Sequence, residues 1–223
     1  MQFEKAHCLF ERSGTFKRAF QKLGFPAYDY DLENTEAVDF DDDIFANINL
    51  EYGKHFLSIF SDISCDDLVL AFFPCTYFSD QSQLLSRGDS FGQKTWCEKQ
   101  KLEYSLEQMQ KRAEYFELLC KLCLIAIDKG FKLIIENPYG KVNFLKHFFP
   151  LRPEVIILDR RIYGDFFKKP TQFFFINCTP EFHLFNECIG DKPKNKVVED
   201  IHGFERSKIS DDFAENFIRQ FIL

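Results

Sequence analysis

At 223 residues, 45% hydrophobic and 28% charged, the chain has the length and composition of one soluble globular domain with a sizeable core; two domains would be cramped. Its net charge of −7 excludes a protein that coats nucleic acid indiscriminately. No stretch approaches the roughly 18 apolar residues needed to cross a membrane, and Met1 to His7 lacks the layout of a signal peptide, so a cytoplasmic location without membrane contact is expected.

Lys5-Ala6-His7-Cys8-Leu9-Phe10 predicts a first strand. A turn from Glu11 to Thr15 leads into a helix whose buried face is Phe16, Ala19, Phe20 and Leu23, with Gly24 placed to end it. Phe25 to Tyr30 supplies the next strand and closes in Asp29-Tyr30-Asp31. A βαβ unit with a small-residue turn at Gly14 and an acidic tip at Asp31 is a nucleoside-cofactor arrangement. The helix N-terminus faces the charged part of the cofactor and the carboxylate takes the ribose hydroxyls. Glu36 to Phe40 reads as a short third strand followed by Asp41-Asp42-Asp43-Ile44, either a solvated turn or a helix start. Leu50 to Phe60 predicts a helix.

Leu68 to Phe73, introduced by the acidic pair Asp66-Asp67, is a continuous apolar run, hence a strand buried on both faces, and Pro74 stops it because proline has no N–H for the ladder. Cys75 is therefore delivered at the carboxyl end of a central strand, where ligands and reacting groups gather in open α/β sheets. Residues 78–97 read as a long polar, glycine-punctuated loop, in which Asp80 to Lys94 is a candidate lid. Next comes a long helix with an apolar stripe at Leu102, Leu106, Met109, Ala113, Phe116, Cys120, Cys123 and Ile127, stopped by Gly130. Within it Cys120 and Cys123 read as core packing rather than a metal or redox pair. Phe131 to Ile135 is another buried strand and ends in Glu136-Asn137-Pro138. Val142 to Phe149 fits a short helix, Glu154 to Leu158 and Gln172 to Asn177 fit strands, and 178–209 reads as an irregular insert. Ser210 is a good N-cap for a terminal helix with Phe213, Phe217 and Phe221 on one side.

A thiol and a carboxylate on neighbouring strand ends beside a nucleoside cofactor suit one demanding reaction. Cytosine C5 is a poor nucleophile, so its methylation requires a thiolate to add at C6 while an acid supports N3 and the exocyclic amine. Cys75 and Glu136 match those two roles.

The chain resembles the DNA (cytosine-5)-methyltransferases, and more closely their small phage- or mobile-element-type relatives. Phe72-Phe73-Pro74-Cys75-Thr76-Tyr77-Phe78-Ser79 is similar to the family's Pro-Cys-Gln motif, with Thr76 for glutamine; Ile134-Ile135-Glu136-Asn137-Pro138 is similar to Glu-Asn-Val. Leu9-Phe10 through Gly14 resembles the Phe-x-Gly-x-Gly cofactor loop, with Arg12 and Thr15 where glycines are expected. Tyr163-Gly164 to Thr171 resembles the Gln-x-Arg-x-Arg segment with its arginines missing and Lys169 and Thr171 in their places.

The resemblance implies a Rossmann-like class I S-adenosylmethionine-dependent methyltransferase fold: α/β, a mixed, mostly parallel sheet with helices on both faces, in one domain over 1–223. The insert at 178–209 stands in place of a target-recognition domain, and the terminal helix at 210–223 packs back on the domain. It implies Cys75, Glu136 and Lys169 as catalytic residues, and Phe10, Gly14, Thr15, Asp31, Asp43, Ile44 and Pro74 as contacts for S-adenosylmethionine. The substrate would be met by Pro74, Thr76, Ser79, Gln81, Arg87, Asn137 and Thr171. The expected partner is DNA, flipped out or single-stranded, or a cytidine nucleotide or RNA. A protein partner or second copy would supply target recognition. Two other readings stand beside it. Asn137-Pro138-Tyr139 is similar to the Asn-Pro-Pro-Tyr motif of amino-group methyltransferases, for which Cys75 is dispensable. A degenerate methyltransferase fold would bind a nucleotide, nucleic acid or partner without catalysis.

Overall fold

Seven short segments line up as one sheet in a computed structural model that describes residues 1–32, 39–54, 58–88, 90–183 and 208–223. They are β1 (Ala6–Leu9), β2 (Ala27–Asp31), β3 (Phe40–Asp41), β4 (Leu68–Ala71), β5 (Lys132–Pro138), β6 (Val155–Ile157) and β7 (Thr171–Ile176), in the order β3-β2-β1-β4-β5-β7-β6. The pairings from β3 through β5 are parallel, and β7 runs antiparallel to both β5 and β6. The architecture is thus the expected α/β one, a mixed, mostly parallel sheet, and is consistent with a Rossmann-like fold. Chain order reverses direction across the sheet between β1 and β4, the switch point at which such sheets bind ligands.

Among the described residues the α-helices are α1 (Thr15–Lys22), α2 (Ile44–Tyr52), α3 (Asp80–Ser86), α4 (Glu98–Lys129), α5 (Phe144–Phe148) and α6 (Asp211–Phe221). Alternation along the buried strands divides the core in two. Leu68, Leu70, Ile134, Phe173 and Phe175 pack with Phe16 and Phe20 of α1 and Phe213, Phe217 and Phe221 of α6. Val69, Ala71, Leu133, Ile135, Phe174 and Ile176 pack with Ile48 of α2, Leu119 and Leu122 of α4, and Leu145 of α5. Strands that are apolar at every position are buried from both sides, which is why their sequence shows no alternation. No helix among the described residues is long and apolar enough to cross a membrane.

Three elements depart from the sequence reading. The helix expected over Leu50 to Phe60 starts earlier, at Ile44, because Asp43 is its N-cap and accepts from the Ala46 amide at 3.0 Å; a 3-10 turn at Ile59–Asp62 follows. The aspartate run is therefore a helix start. The loop expected over 78–97 contains α3, capped by Ser79, and a 3-10 turn at Phe91–Gln93. Lastly, the apolar stripe of α4 is only partly core: Leu102, Leu106, Met109 and Ile127 are 70%, 61%, 49% and 53% exposed. Burial along α4 begins at Arg112, and Leu119, Leu122, Cys123, Ile125 and Ala126 form its packed face. Cys123 sits in that core, where burial pushes its thiol up to about 12. Of the insert expected over 178–209, residues 184–207 lie outside the described residues. The Glu181 amide donates to the Phe221 carbonyl at 3.0 Å, so the insert's first residues run along the end of α6. The terminal helix packs back on the sheet through Phe213 and Phe217.

Candidate active site

Parallel pairing puts Leu9, Ala71 and Ile135 on one rung, so the segments leaving β1, β4 and β5 emerge side by side at the switch point. Cys75 follows β4 by four residues, and Glu136 is the next residue of β5 after the rung. The two chemically equipped strand ends are neighbours, as their sequence positions suggested.

Backbone and buried side chains brace the turn that carries Cys75. The Cys75 carbonyl accepts from the amides of Phe78 at 3.0 Å and Ser79 at 3.1 Å, which leads the chain directly into α3. Asn137, fully buried at the end of β5, donates from Nδ2 to the Phe73 carbonyl at 3.3 Å and ties the Glu-Asn strand to the Pro-Cys turn. The Phe144 amide donates to the Phe78 carbonyl at 2.9 Å, and the Lys141 amide to Asp80 at 3.0 Å. From α4, buried Arg112 donates from Nε to the Tyr77 carbonyl and from Nη2 to Ser86 Oγ, each at 2.9 Å, with its guanidinium over the Phe144 ring at 5.3 Å. The half-buried Cys75 is held by segments from four different elements. Sequence reading missed Arg112, whose signal was a cationic residue directly beside the apolar stripe.

Glu136 points to the α6 side of the sheet, opposite Asn137. Its Oε1 lies 3.8 Å from Nη1 of Arg160, which is itself fully buried, paired through Nε with Asp165 at 2.6 Å and stacked on Phe213 at 4.3 Å. Lys169 and Thr171 arrive at the same end, since β7 starts where β5 finishes: Thr171 pairs with Pro138, and the Tyr139 amide donates to the Pro170 carbonyl at 2.9 Å. Thr171 is buried and donates to the Lys169 carbonyl at 3.0 Å, so its hydroxyl serves this turn. Buried polar side-chain atoms without a protein hydrogen-bond partner occur on both faces of this strand end: Glu136 Oε1 and Arg160 Nη1 and Nη2 on the α6 side, and Asn137 Oδ1 and Gln172 Oε1 on the other. Native interiors satisfy most such atoms, so each of these is a place where a water or a bound group would complete the hydrogen bonding.

At the β1 end, Phe10 takes a positive φ of 60° and Gly14 one of 62°, which together bend the loop over the start of α1. Glu11 folds back under it. Its carboxylate accepts from the Phe16 amide at 2.6 Å and the Lys17 amide at 3.2 Å, and burial lifts the carboxyl to about 7 against the opposing pull of those two donors. The helix N-terminus expected to receive part of a cofactor thus holds the chain's own carboxylate. Thr15 is buried in the first turn with its hydroxyl 2.9 Å from Ser13 Oγ. Asp29 is fully buried beneath Gly14 and paired with Lys17 at 2.9 Å, while Asp31 is the last residue of β2, at the same sheet end.

Of the remaining residues picked from sequence, Pro74 and Ser79 belong to the braced turn, Ser79 as the α3 cap. Thr76, Gln81 and Arg87 are exposed beside it, along α3 and its C-terminus. Asp43 caps α2 and Ile44 is buried beneath it, so both do structural work at the β3 end. A separate cleft of about 430 Å³ lies at that sheet edge, lined by Tyr30, Phe40, Asp42, Asn47, Ser58, Ile59, Ser61 and Asp62. Compared with models of known protein families and with curated proteins, the chain matches none.

Proposed function

We propose that the chain is an S-adenosylmethionine-dependent methyltransferase acting on cytosine C5, with DNA as the substrate. The observation that carries this reading is the juxtaposition of the Pro74-Cys75 turn with Glu136 on the next parallel strand, locked together through Asn137 and Phe73. In this reading the Cys75 thiolate forms a bond to C6 of the base, and the ring's electrons move to C5. Glu136 accepts from the exocyclic amine and supports N3 as charge develops there. Once C5 carries the methyl group, its proton would pass to a water acting as base and the electrons left behind would break the Sγ–C6 bond, returning the thiolate. Lys169, at the joined ends of β5 and β7, is a point charge for the base O2 or a phosphate.

Bound S-adenosylmethionine supplies an electrophilic methyl group on a sulfonium. At the β1–β2 end Asp31 is the acidic group that would meet its cationic end, since Glu11 is folded under the loop and occupies the α1 amides of Phe16 and Lys17. A base stacked in a duplex is out of reach of a strand-end thiol, so the substrate is flipped or single-stranded. Free cytidine nucleotide and RNA are the alternative substrates, and the cytoplasm is the proposed location.

Glu11 also favours a second reading. A cofactor loop whose helix N-terminus is occupied by its own side chain suits a methyltransferase-like fold that binds nucleotide, nucleic acid or a partner without catalysis. Covalent trapping separates the two. The wild-type protein with S-adenosylmethionine should form a denaturation-resistant adduct with 5-fluorocytosine-containing DNA, and Cys75→Ser should form none while keeping its fold. No adduct with DNA, RNA or nucleotide, together with no calorimetric signal for the cofactor, overturns the enzymatic reading.

A further inference from the structure

We propose that Arg160 is the positioning residue for Glu136; the inference rests on the methyltransferase reading above. Arg160 and Arg161 are adjacent in sequence and opposite in role. Arg161 lies near the surface and forms a local pair with Asp159, at 2.9 Å from Nε and 2.7 Å from Nη2. Arg160 turns inward and is fully buried, with a carboxylate on either side: Asp165 at 2.6 Å and Glu136 at 3.8 Å.

A buried guanidinium is retained only where its charge is met, and the two carboxylates are not equivalent. Asp165 is anchored. Its Oδ1 accepts from the amides of Phe166 at 2.9 Å and Ser210 at 3.1 Å, and Ser210 in turn caps α6 through the Phe213 amide at 3.0 Å. Phe213 closes the other side of the guanidinium plane at 4.3 Å. The turn after β6 and the start of α6 therefore fix where Arg160 sits, and Glu136 is the partner with freedom left.

The 3.8 Å separation is too long for an aligned hydrogen bond, and Glu136 Oε1, Arg160 Nη1 and Arg160 Nη2 all lack one. Apo sites commonly hold catalytic contacts in this loose form and tighten them on binding. Arg160 draws Oε1 toward the α6 side and so orients the second carboxylate oxygen for the edge of a base. It acts through Glu136 and touches no reacting atom.

The test uses the full chain with Arg160→Met, Arg160→Lys, Glu136→Gln and the double variants. Urea unfolding reads the pair without reference to activity: Arg160→Met leaves Glu136 uncompensated, so adding Glu136→Gln should cost far less stability in that background than in wild type. Strict additivity overturns the pairing. If Arg160→Met does not fold, the neutral polar Arg160→Gln with Glu136→Gln makes the same comparison. In methyl transfer, Arg160→Met should lower kcat by about 100-fold, the scale of losing one preorganised electrostatic contact. The KM for S-adenosylmethionine should stay within about threefold, because uniform binding is untouched. Arg160→Lys should recover about a tenth of the wild-type rate, since charge returns without the planar fork. A folded Arg160→Met with wild-type kcat overturns this inference alone, whereas a wild-type protein that forms no 5-fluorocytosine adduct overturns the reading beneath it.

Discussion

Glu11 illustrates how one side chain redirects a familiar local arrangement. The sequence suggests a cofactor loop weakened by Arg12 and Thr15, but a contact from residue 11 to the amides of residues 16 and 17 has no sequence signature, because it depends on the positive φ at Phe10 and Gly14. Its carboxyl rises from an ordinary 4.5 to about 7, chiefly by burial. The folded state therefore holds this proton more tightly than the unfolded chain. The contribution is fully present below about 4.5 and is lost as pH climbs to about 7. With ~1.4 kcal/mol for each tenfold change in proton affinity, the window is worth on the order of 3 kcal/mol. Glu11→Gln still accepts from the Phe16 amide but cannot titrate. Urea midpoints at pH 5 and pH 7.5 should differ less in this variant than in wild type; equal differences would remove the assignment. Arg160 was similarly illegible, since an Arg-Arg pair after a strand reads as solvated surface, and only the turn decides which of the two points inward.

Among the elements, α3 was hidden and yet signalled. Ser79-Asp80-Gln81-Ser82 is a good helix start, with an N-cap serine and an acidic first turn, but a short polar helix has no apolar periodicity to announce it. Its first residue bridges the two site loops, since Asp80 accepts from the Lys141 amide at 3.0 Å. Gly140 exists at this crossing for want of space: an added Cβ would lie 2.1 Å from Asp80 Oδ1. Gly140→Ala should push Asp80 away from the Lys141 amide, loosen the loop after Glu136 against the turn carrying Cys75, and destabilise by about 1–3 kcal/mol. Adduct formation should fall along with the urea midpoint. Asp80→Ser on top of Gly140→Ala should regain part of both, and failure to do so would place the strain elsewhere.

Across the whole molecule, the strands were legible because a run apolar at every position has no place except between two helical layers, and the sheet's two cores confirm that logic. The extent of helix packing was not legible. A 32-residue helix is about 48 Å long, whereas strands of four to seven residues span only about 13–23 Å, so α4 outruns the sheet it covers. Its four-three apolar spacing continues into the part without a partner layer, and periodicity alone cannot tell the two halves apart. Point substitutions separate a packed helix face from an exposed one. Phe217 of α6 is fully buried against Phe16 and Phe173, with ring centroids at 5.9 and 4.2 Å. Phe217→Ala should cost about 3–5 kcal/mol through lost burial and the cavity it leaves. Leu106→Ser, on the exposed stripe of α4, should stay within about 0.5 kcal/mol of wild type. In a chain of this size each kcal/mol moves the melting temperature by about 2–4 °C, which separates the two variants clearly by calorimetry. A large loss at Leu106 would mean that the first half of α4 is covered in solution, and a small one at Phe217 that α6 does not close the second core.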